Sequence, residues 1–172
     1  MKVLKIIFFT LLGCIAIVLV AGLIIPKTFH AESSVVINKP VNEVFEFVRV
    51  LRNQSQFDAW SKKDPKIQQN YSGFDGKVGS SYTWKSDKVG DGKQVITKID
   101  PNKEIAIDIS FYEDDEPNKT VFTFDSLSKN ETKVTWKIDG EMPYPWNVMS
   151  IFYDMNKDFE EGVQTLKTIL EQ

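Results

Sequence analysis

A long run of almost entirely apolar residues lies near the start of the sequence. Residues 6–25 carry no charged side chain, and Pro26 and Lys27 follow them. At the rise of an α-helix, a run of this length reaches about 30 Å, the thickness of the hydrocarbon core of a bilayer. The pattern predicts a single transmembrane helix through residues 6–25, within an N-terminal anchor that occupies residues 1–27.

Two alternatives to a retained anchor stay open. A cleaved signal peptide has a shorter apolar region, about 7–15 residues, and small residues before the cut, which Phe29 and His30 do not supply. A lipoprotein is the second alternative, because residues 11–14 resemble a lipobox that ends at Cys14. The residues after Cys14 stay apolar, whereas lipoprotein linkers are normally polar, so the retained anchor is favoured.

The lysines around the apolar run predict its orientation. Lys2 and Lys5 precede it, whereas Lys27 follows it and Glu32 comes soon after. Loops rich in lysine and arginine stay on the cytoplasmic side. We therefore expect a cytoplasmic N-terminus and a domain, residues 28–172, on the extracytoplasmic side of the membrane.

Two stretches of this domain follow a helical period. Apolar residues at helical spacing predict an amphipathic helix from Pro40 to Leu51, after a short strand over residues 33–37. Residues 54–66 are predicted to be irregular. A long helix is predicted from Pro145, because its apolar positions recur alternately four and three residues apart. These positions are Val148, Phe152, Met155, Phe159, Gly162, Leu166 and Ile169.

Between the helices, apolar and polar residues alternate, which predicts strands with one buried face. The predicted strands cover residues 80–85, 93–99, 104–112, 120–126 and 133–139. On residues 93–99, the alternation groups Val95, Thr97 and Ile99 on one face. The order strand, helix, several antiparallel strands and long helix indicates an α+β fold.

Composition and charge exclude several kinds of function. The chain is 42% hydrophobic and 26% charged, which is ordinary for a globular protein. All 24 acidic residues follow Lys27, and an acidic domain argues against nucleic acid as a partner. A single cysteine allows no disulfide within the chain, and a single histidine, His30, allows no multi-histidine metal site. We predict no cofactor and no metal.

Several short motifs appear in an order typical of one superfamily. Residues 35–40 with Val44, Phe45 and Val48 resemble the opening of the START-like superfamily, in particular its polyketide cyclase/dehydrase and lipid-transport group. Trp60 resembles the tryptophan that follows the first helix in that group. Residues 162–167 resemble its closing helix. The resemblance covers about residues 32–170. It implies a helix-grip fold, in which a curved antiparallel sheet surrounds a long C-terminal helix with an apolar cavity between them.

The resemblance also implies that inward-facing residues line this cavity and contact a hydrophobic small molecule or lipid. Without a cavity, the same side chains would simply form the core. At Gly162 the missing side chain leaves room for a ligand or a close strand, or else permits tight packing. The candidate ligand-binding residues are Trp60, Tyr82, Trp84, Ile107, Ile109, Phe122, Phe124, Trp136, Phe152, Met155 and Phe159.

No residue is predicted to be catalytic. Asp58 and Asp108 are carboxylates that a cavity could perturb, but solvated charges are the simpler interpretation. The acidic residues 113–116 are better explained as a solvated hairpin tip than as a calcium site. Three functions remain open, in decreasing order of support: binding of a hydrophobic ligand, a protein-interaction module with a filled cavity, and a cyclase- or hydrolase-type enzyme.

Overall fold

A computed structural model describes residues 2–111 and 116–172. The chain forms two compact units. The sheet unit comprises His30–Gly140 and Met155–Gln172. The anchor unit comprises residues up to Phe29 together with Glu141–Asp154.

Among the described residues, seven strands form one sheet in the order β1-β7-β6-β5-β4-β3-β2. Neighbouring strands from β2 to β7 pair antiparallel. The sheet is therefore a meander that β1 completes at the β7 edge. The strands are β1 (Thr28–Ile37), β2 (Gln68–Ser72), β3 (Ser81–Lys85), β4 (Gly92–Asp100), β5 (Glu104–Phe111), β6 (Asn118–Ser128) and β7 (Glu131–Glu141).

Helices pack on one face of this sheet. Phe45 of the first helix in the sheet unit lies edge-on to Phe124 of β6, with ring centres 5.4 Å apart. Phe159 of the last helix lies 4.3 Å from the ring centre of Trp136 on β7. The helices of this unit are α2 (Val41–Val48), α3 (Leu51–Gln54), α4 (Ala59–Lys63) and α5 (Met155–Leu170), and α1 (Lys2–Ile24) belongs to the anchor unit. The predicted α+β helix-grip architecture is confirmed.

The predicted inward faces of β5, β6 and β7 are confirmed, because their alternate apolar residues are buried, except for Ile109 and Phe111 at the end of β5, which are partly exposed. The face predicted for β4 is wrong. Gln94 and Ile96 are its buried residues, and Thr97 is exposed. A bulge between Ile96 and Lys98 inserts one residue, so that Ile99 pairs with buried Ile105 and returns to the inner face.

Other elements also differ from the sequence prediction, and among them α4 lies in the segment expected to be irregular. β1 begins at Thr28, earlier than expected, and β2 was not predicted because its side chains are almost all exposed and do not alternate. The long C-terminal helix is shorter than predicted. Residues Trp146–Ile151 form a 3-10 helix in the anchor unit, and α5 starts only at Met155.

The anchor unit contains the predicted apolar helix. Within the described part of the chain, α1 is the one helix that is long and apolar enough to cross a membrane. Its side chains are almost all exposed, as expected of a helix without protein neighbours along its length. A signal sequence passes the same test of length and composition.

Candidate ligand-binding cavity

A cavity of about 100 Å³ lies in the sheet unit, between the inner face of the sheet and helices α3, α4 and α5. Its deepest side chains are nearly inaccessible to solvent, and those at its rim are partly exposed. Apolar and aromatic side chains predominate in the lining. The buried lining residues are Gln54, Tyr82, Trp84, Gln94, Thr120, Phe122, Trp136, Ile138 and Phe159. The partly exposed ones are Ser55, Asp58, Trp60, Ser61, Ile67, Val89, Ile109, Phe111 and Met155.

Trp136 is the centre of the aromatic cluster in this cavity. Phe122 stacks on its ring at a centroid distance of 4.9 Å and an interplanar angle of 18°. Phe57 and Trp60 approach it edge-on, at 5.9 and 6.1 Å. Edge-to-face and offset contacts of this kind are favourable aromatic arrangements. The cluster therefore makes a rigid apolar wall.

A second aromatic row runs along the sheet. Tyr71, Tyr82 and Trp84 stack in sequence, with ring centres 4.8 and 5.3 Å apart. Phe111 meets Trp84 edge-on at 6.0 Å. Burial raises the pKa of the Tyr82 hydroxyl, so this side chain stays neutral at physiological pH.

Two hydrogen-bonded pairs provide polar groups in the lining. The side-chain amide of Gln94 donates to Oε1 of Gln54 at 3.2 Å, and Gln54 donates to the carbonyl of Val48 at 3.0 Å. The indole Nε1 of Trp136 donates to Oγ1 of Thr120 at 2.9 Å. Buried polar groups that are paired in this way can orient a ligand without a large desolvation cost.

Asp58 is the one acidic residue among the described residues that line the cavity. It caps α4, because its two carboxylate oxygens accept from the backbone N–H and the hydroxyl of Ser61 at 2.6 and 2.7 Å. Burial raises the pKa of Asp58, and the bonds from Ser61 oppose that shift. Both oxygens are thus engaged in holding α4, which indicates a structural role for this carboxylate.

Two ion pairs join α4 to α5 beside the cavity. Lys62 contacts Glu161 at 3.0 Å and also donates to the hydroxyl of Thr165 at 2.9 Å. Lys63 contacts Asp158 at 2.7 Å. These links fix the position of α4, whose Trp60 and Ser61 form part of the rim.

Residues 38–171 match the family model described as activator of Hsp90 ATPase homolog 1-like protein. The chain belongs to this family. The match covers most of the sheet unit and confirms the resemblance to the START-like superfamily.

Solved structures share the fold of this domain at low sequence identity. The Aha1 dimer from Colwellia psychrerythraea has a TM-score of 0.58 and 16% identity, over 83% of this chain and 96% of that one. A Mesorhizobium loti protein gives 0.60 and 11%, over 83% and 97% of the chains. A Chromobacterium violaceum protein gives 0.56 and 13%, over 86% and 99%. No curated protein sequence matches the chain.

In this domain of the Hsp90-activator-like family, most of the predicted ligand-binding residues line the cavity. Ile107 and Phe124 are buried elsewhere in the core. Phe152 belongs to the anchor unit and is 78% exposed, because the predicted long helix is interrupted before Met155. The predicted residues that line the cavity are Trp60, Tyr82, Trp84, Ile109, Phe122, Trp136, Met155 and Phe159. That they contact a ligand stays a prediction.

Sequence reasoning missed the polar part of the lining. The alternation in β4 predicts Gln94 on the outer face, because the sequence does not reveal the bulge in this strand. Gln54 and Ser61 fall in short helices that carry no periodic signal. A buried glutamine or serine has no distinct sequence pattern, so the structure is needed to identify these lining residues.

The other candidate sites contribute nothing to the cavity. Asp108 pairs with Lys119 across β5 and β6, on the face opposite Ile107. Among the described residues, no cluster of three His, Cys, Asp or Glu side chains could hold a metal ion. Of the predicted acidic tip, residues 113–115 lie outside the described residues. His30 is exposed and contacts Asp139 at 2.7 Å.

Proposed function

We propose that this domain binds a small hydrophobic molecule, or part of a lipid, in the cavity around Trp136, while α1 holds it at a membrane. The observation that carries the proposal is the lining, which is mostly aromatic and aliphatic with a few paired polar groups. This composition is typical of sites for apolar ligands. The helix-grip group to which the chain belongs binds hydrophobic ligands, which supports the same function.

The volume of the cavity limits the ligand. Drug-sized ligands occupy pockets of about 300–1,000 Å³, whereas an engineered cavity of about 150 Å³ accepts benzene. At about 100 Å³, this cavity is smaller than that one, so it suits at most a single unsubstituted ring or a short stretch of acyl chain. A larger ligand requires the partly exposed rim side chains Trp60 and Met155 to move.

A membrane location fits both the ligand class and the apolar helix. Helix α1 is long enough to span the hydrocarbon core. Lys2 and Lys5 favour a cytoplasmic N-terminus, and with that orientation a spanning α1 would put the domain on the extracytoplasmic side. A membrane-tethered domain would meet lipids and lipophilic molecules at high local concentration.

The small volume of the cavity favours a second candidate function, a protein-interaction module whose cavity takes up no ligand. The matching family is named for activators of Hsp90 ATPase, so its name itself describes action on another protein. The two functions differ in whether the cavity takes up an apolar molecule. A direct binding measurement therefore separates them.

The test uses the full chain in phospholipid nanodiscs and benzene as the probe. We expect saturable binding that shifts the indole N–H resonance of Trp136 in two-dimensional NMR spectra. Ile109→Phe adds bulk at the cavity and should weaken binding. Val95→Phe adds the same group away from the lining and should leave binding unchanged. If the Trp136 resonance does not respond to benzene or to a short fatty acid, the ligand-binding function is wrong and the interaction module is favoured.

A further inference from the structure

The anchor unit contains a contact that completes the end of α1. Asn147 is completely buried, and its side-chain amide donates to the carbonyl oxygens of Gly22 and Ile25, both at 2.8 Å. In a continuing helix, the carbonyl of Gly22 would accept from the backbone nitrogen of residue 26. That residue is Pro26, which has no N–H. The side-chain amide of Asn147 therefore donates the hydrogen bond that a backbone N–H at residue 26 would otherwise provide.

Two further contacts hold the same segment to the end of α1. The backbone N–H of Met142 donates to the carbonyl of Lys27 at 2.8 Å. The ring of Tyr144 packs so closely on Gly22 that a Cβ atom there would lie 3.0 Å from it. Residues 142–153, which we call the collar, are thus attached to the point where the apolar run ends.

The collar presents apolar side chains to its surroundings. Its residues carry no charge, while Glu141 and Asp154 flank it. Trp146 is 66% exposed, Ile151 61% and Phe152 78%. Exposed apolar groups in such a continuous stretch mark a surface that another medium or molecule covers.

We propose that the collar lies in the interface of the bilayer, with its exposed aromatic and aliphatic side chains inserted among the lipids around the end of α1. This proposal rests on the proposed membrane anchoring by α1. If α1 spans the bilayer, Gly22 and Ile25 lie where the apolar run reaches the headgroups, and Asn147 fixes the collar at that depth. Tryptophan and tyrosine are enriched at this level of membranes.

The collar also bears on whether α1 is retained. Removal of α1 would leave the buried amide of Asn147 without the two acceptors that it uses. It would also expose the Tyr144 ring that packs on Gly22. A segment built to contact α1 is expected in a protein that keeps this helix, and not in one that loses it as a signal peptide.

The test places an environment-sensitive NBD fluorophore on single cysteines of the full chain in vesicles of phosphatidylcholine and phosphatidylglycerol. The three label sites are Cys14 in α1, Phe152→Cys in the collar and Leu127→Cys in the sheet unit, the last two made in a Cys14→Ser background. Leu127 is a matched control, since it is also an exposed apolar residue. Quenching by lipids that carry doxyl groups at known depths reports insertion, and quenching by iodide reports exposure to water.

We expect the label at residue 152 to be quenched by shallow doxyl groups, at the depth of about 5–10 Å typical of interfacial segments. Its iodide quenching should be several-fold weaker than at residue 127. Asn147→Asp, which removes the amide donors, should increase iodide quenching at residue 152. Asn147→Gln, which keeps an amide, should do so less. In both variants the label at Cys14 should stay deep in the bilayer.

Two results would overturn the proposal. Equal iodide quenching at residues 152 and 127 would show that the collar lies in water, provided that Cys14 is deep. A label at residue 152 that is shielded from iodide but insensitive to doxyl lipids would show that protein covers the collar, for instance a second copy of the chain. If the label at Cys14 is itself exposed to water, the anchoring fails first, and the collar proposal falls with it.

Discussion

Gly162 of α5 and Trp136 of β7 are packed so closely that no side chain fits between them. A Cβ atom at Gly162 would lie 2.6 Å from Cζ3 of the Trp136 ring. The glycine thus gives Trp136 its position against α5, where the ring forms the wall of the cavity. The sequence left two alternatives for Gly162, room for a ligand or a close strand, or simple tight packing. The structure combines them, because a side chain of strand β7 packs tightly against the glycine.

Gly162→Ala should destabilise the domain even though alanine is the better helix former. The gain in helix propensity is about 1 kcal/mol, whereas overpacking a core costs about 1–3 kcal/mol. We expect a net loss of about 1 kcal/mol and displacement of Trp136, measured by urea unfolding of the full chain in micelles with tryptophan fluorescence. Gln164→Ala, on the exposed side of the same helix, is the control. A Gly162→Ala variant as stable as this control would contradict the packing.

Thr120→Val should destabilise the domain because it removes the acceptor for the indole N–H of Trp136. The shape of the side chain is kept, but a buried donor left unpaired costs about 1–3 kcal/mol. Thr123→Val makes the same change on the outer face of β6 and should stay within about 0.5 kcal/mol of the parent. The comparison is made by chemical unfolding, and equal stability of the two variants would show that the bond contributes nothing.

The period of apolar residues predicted most of the fold, because β5, β6, β7 and the start of α2 bury one clear face. It failed where local geometry breaks the period. In β4 the bulge after Ile96 shifts the alternation, so Gln94 points inward and Val95 does not. No residue type in that strand predicts the bulge.

The C-terminal segment shows a different kind of failure. Apolar residues from Val148 to Phe152 match the helical period of α5, but they belong to the anchor unit. The periodic pattern correctly identifies apolar side chains in this segment, but it wrongly assigns them to the helix that packs on the sheet. A pattern of hydrophobicity cannot distinguish a core-facing residue from one that faces another apolar surface.

Gln94→Leu should change the selectivity of the cavity. The variant removes the amide that donates to Gln54, and with it a polar group of the lining. We expect the parent to prefer phenol over benzene, and the variant to lose about fivefold of that preference, as for one hydrogen bond of about 1 kcal/mol. Affinities are compared by NMR titration in nanodiscs. Gln68→Leu, on the exposed edge strand β2, is the control and should leave the preference unchanged.

Asp58 should make stability depend on pH in the direction opposite to most acidic residues. Burial raises its pKa in the folded protein above the ordinary value. The folded state therefore holds this proton more tightly than the unfolded state does. The contribution of Asp58 to stability is largest below about pH 4, the ordinary aspartate pKa, and declines as the pH rises through the raised value.

Asp58→Asn should remove this decline, because asparagine is also a good helix cap but does not ionise. The free energy of unfolding of the variant should therefore increase relative to that of the parent as the pH rises from about 4, the ordinary aspartate pKa, to about 7. Urea midpoints across this range provide the measurement, and Asp87→Asn, at an exposed turn, is the control. A parent that instead gains stability relative to Asp58→Asn with rising pH would show that the hydrogen bonds from Ser61 outweigh burial and hold the pKa of Asp58 below its ordinary value.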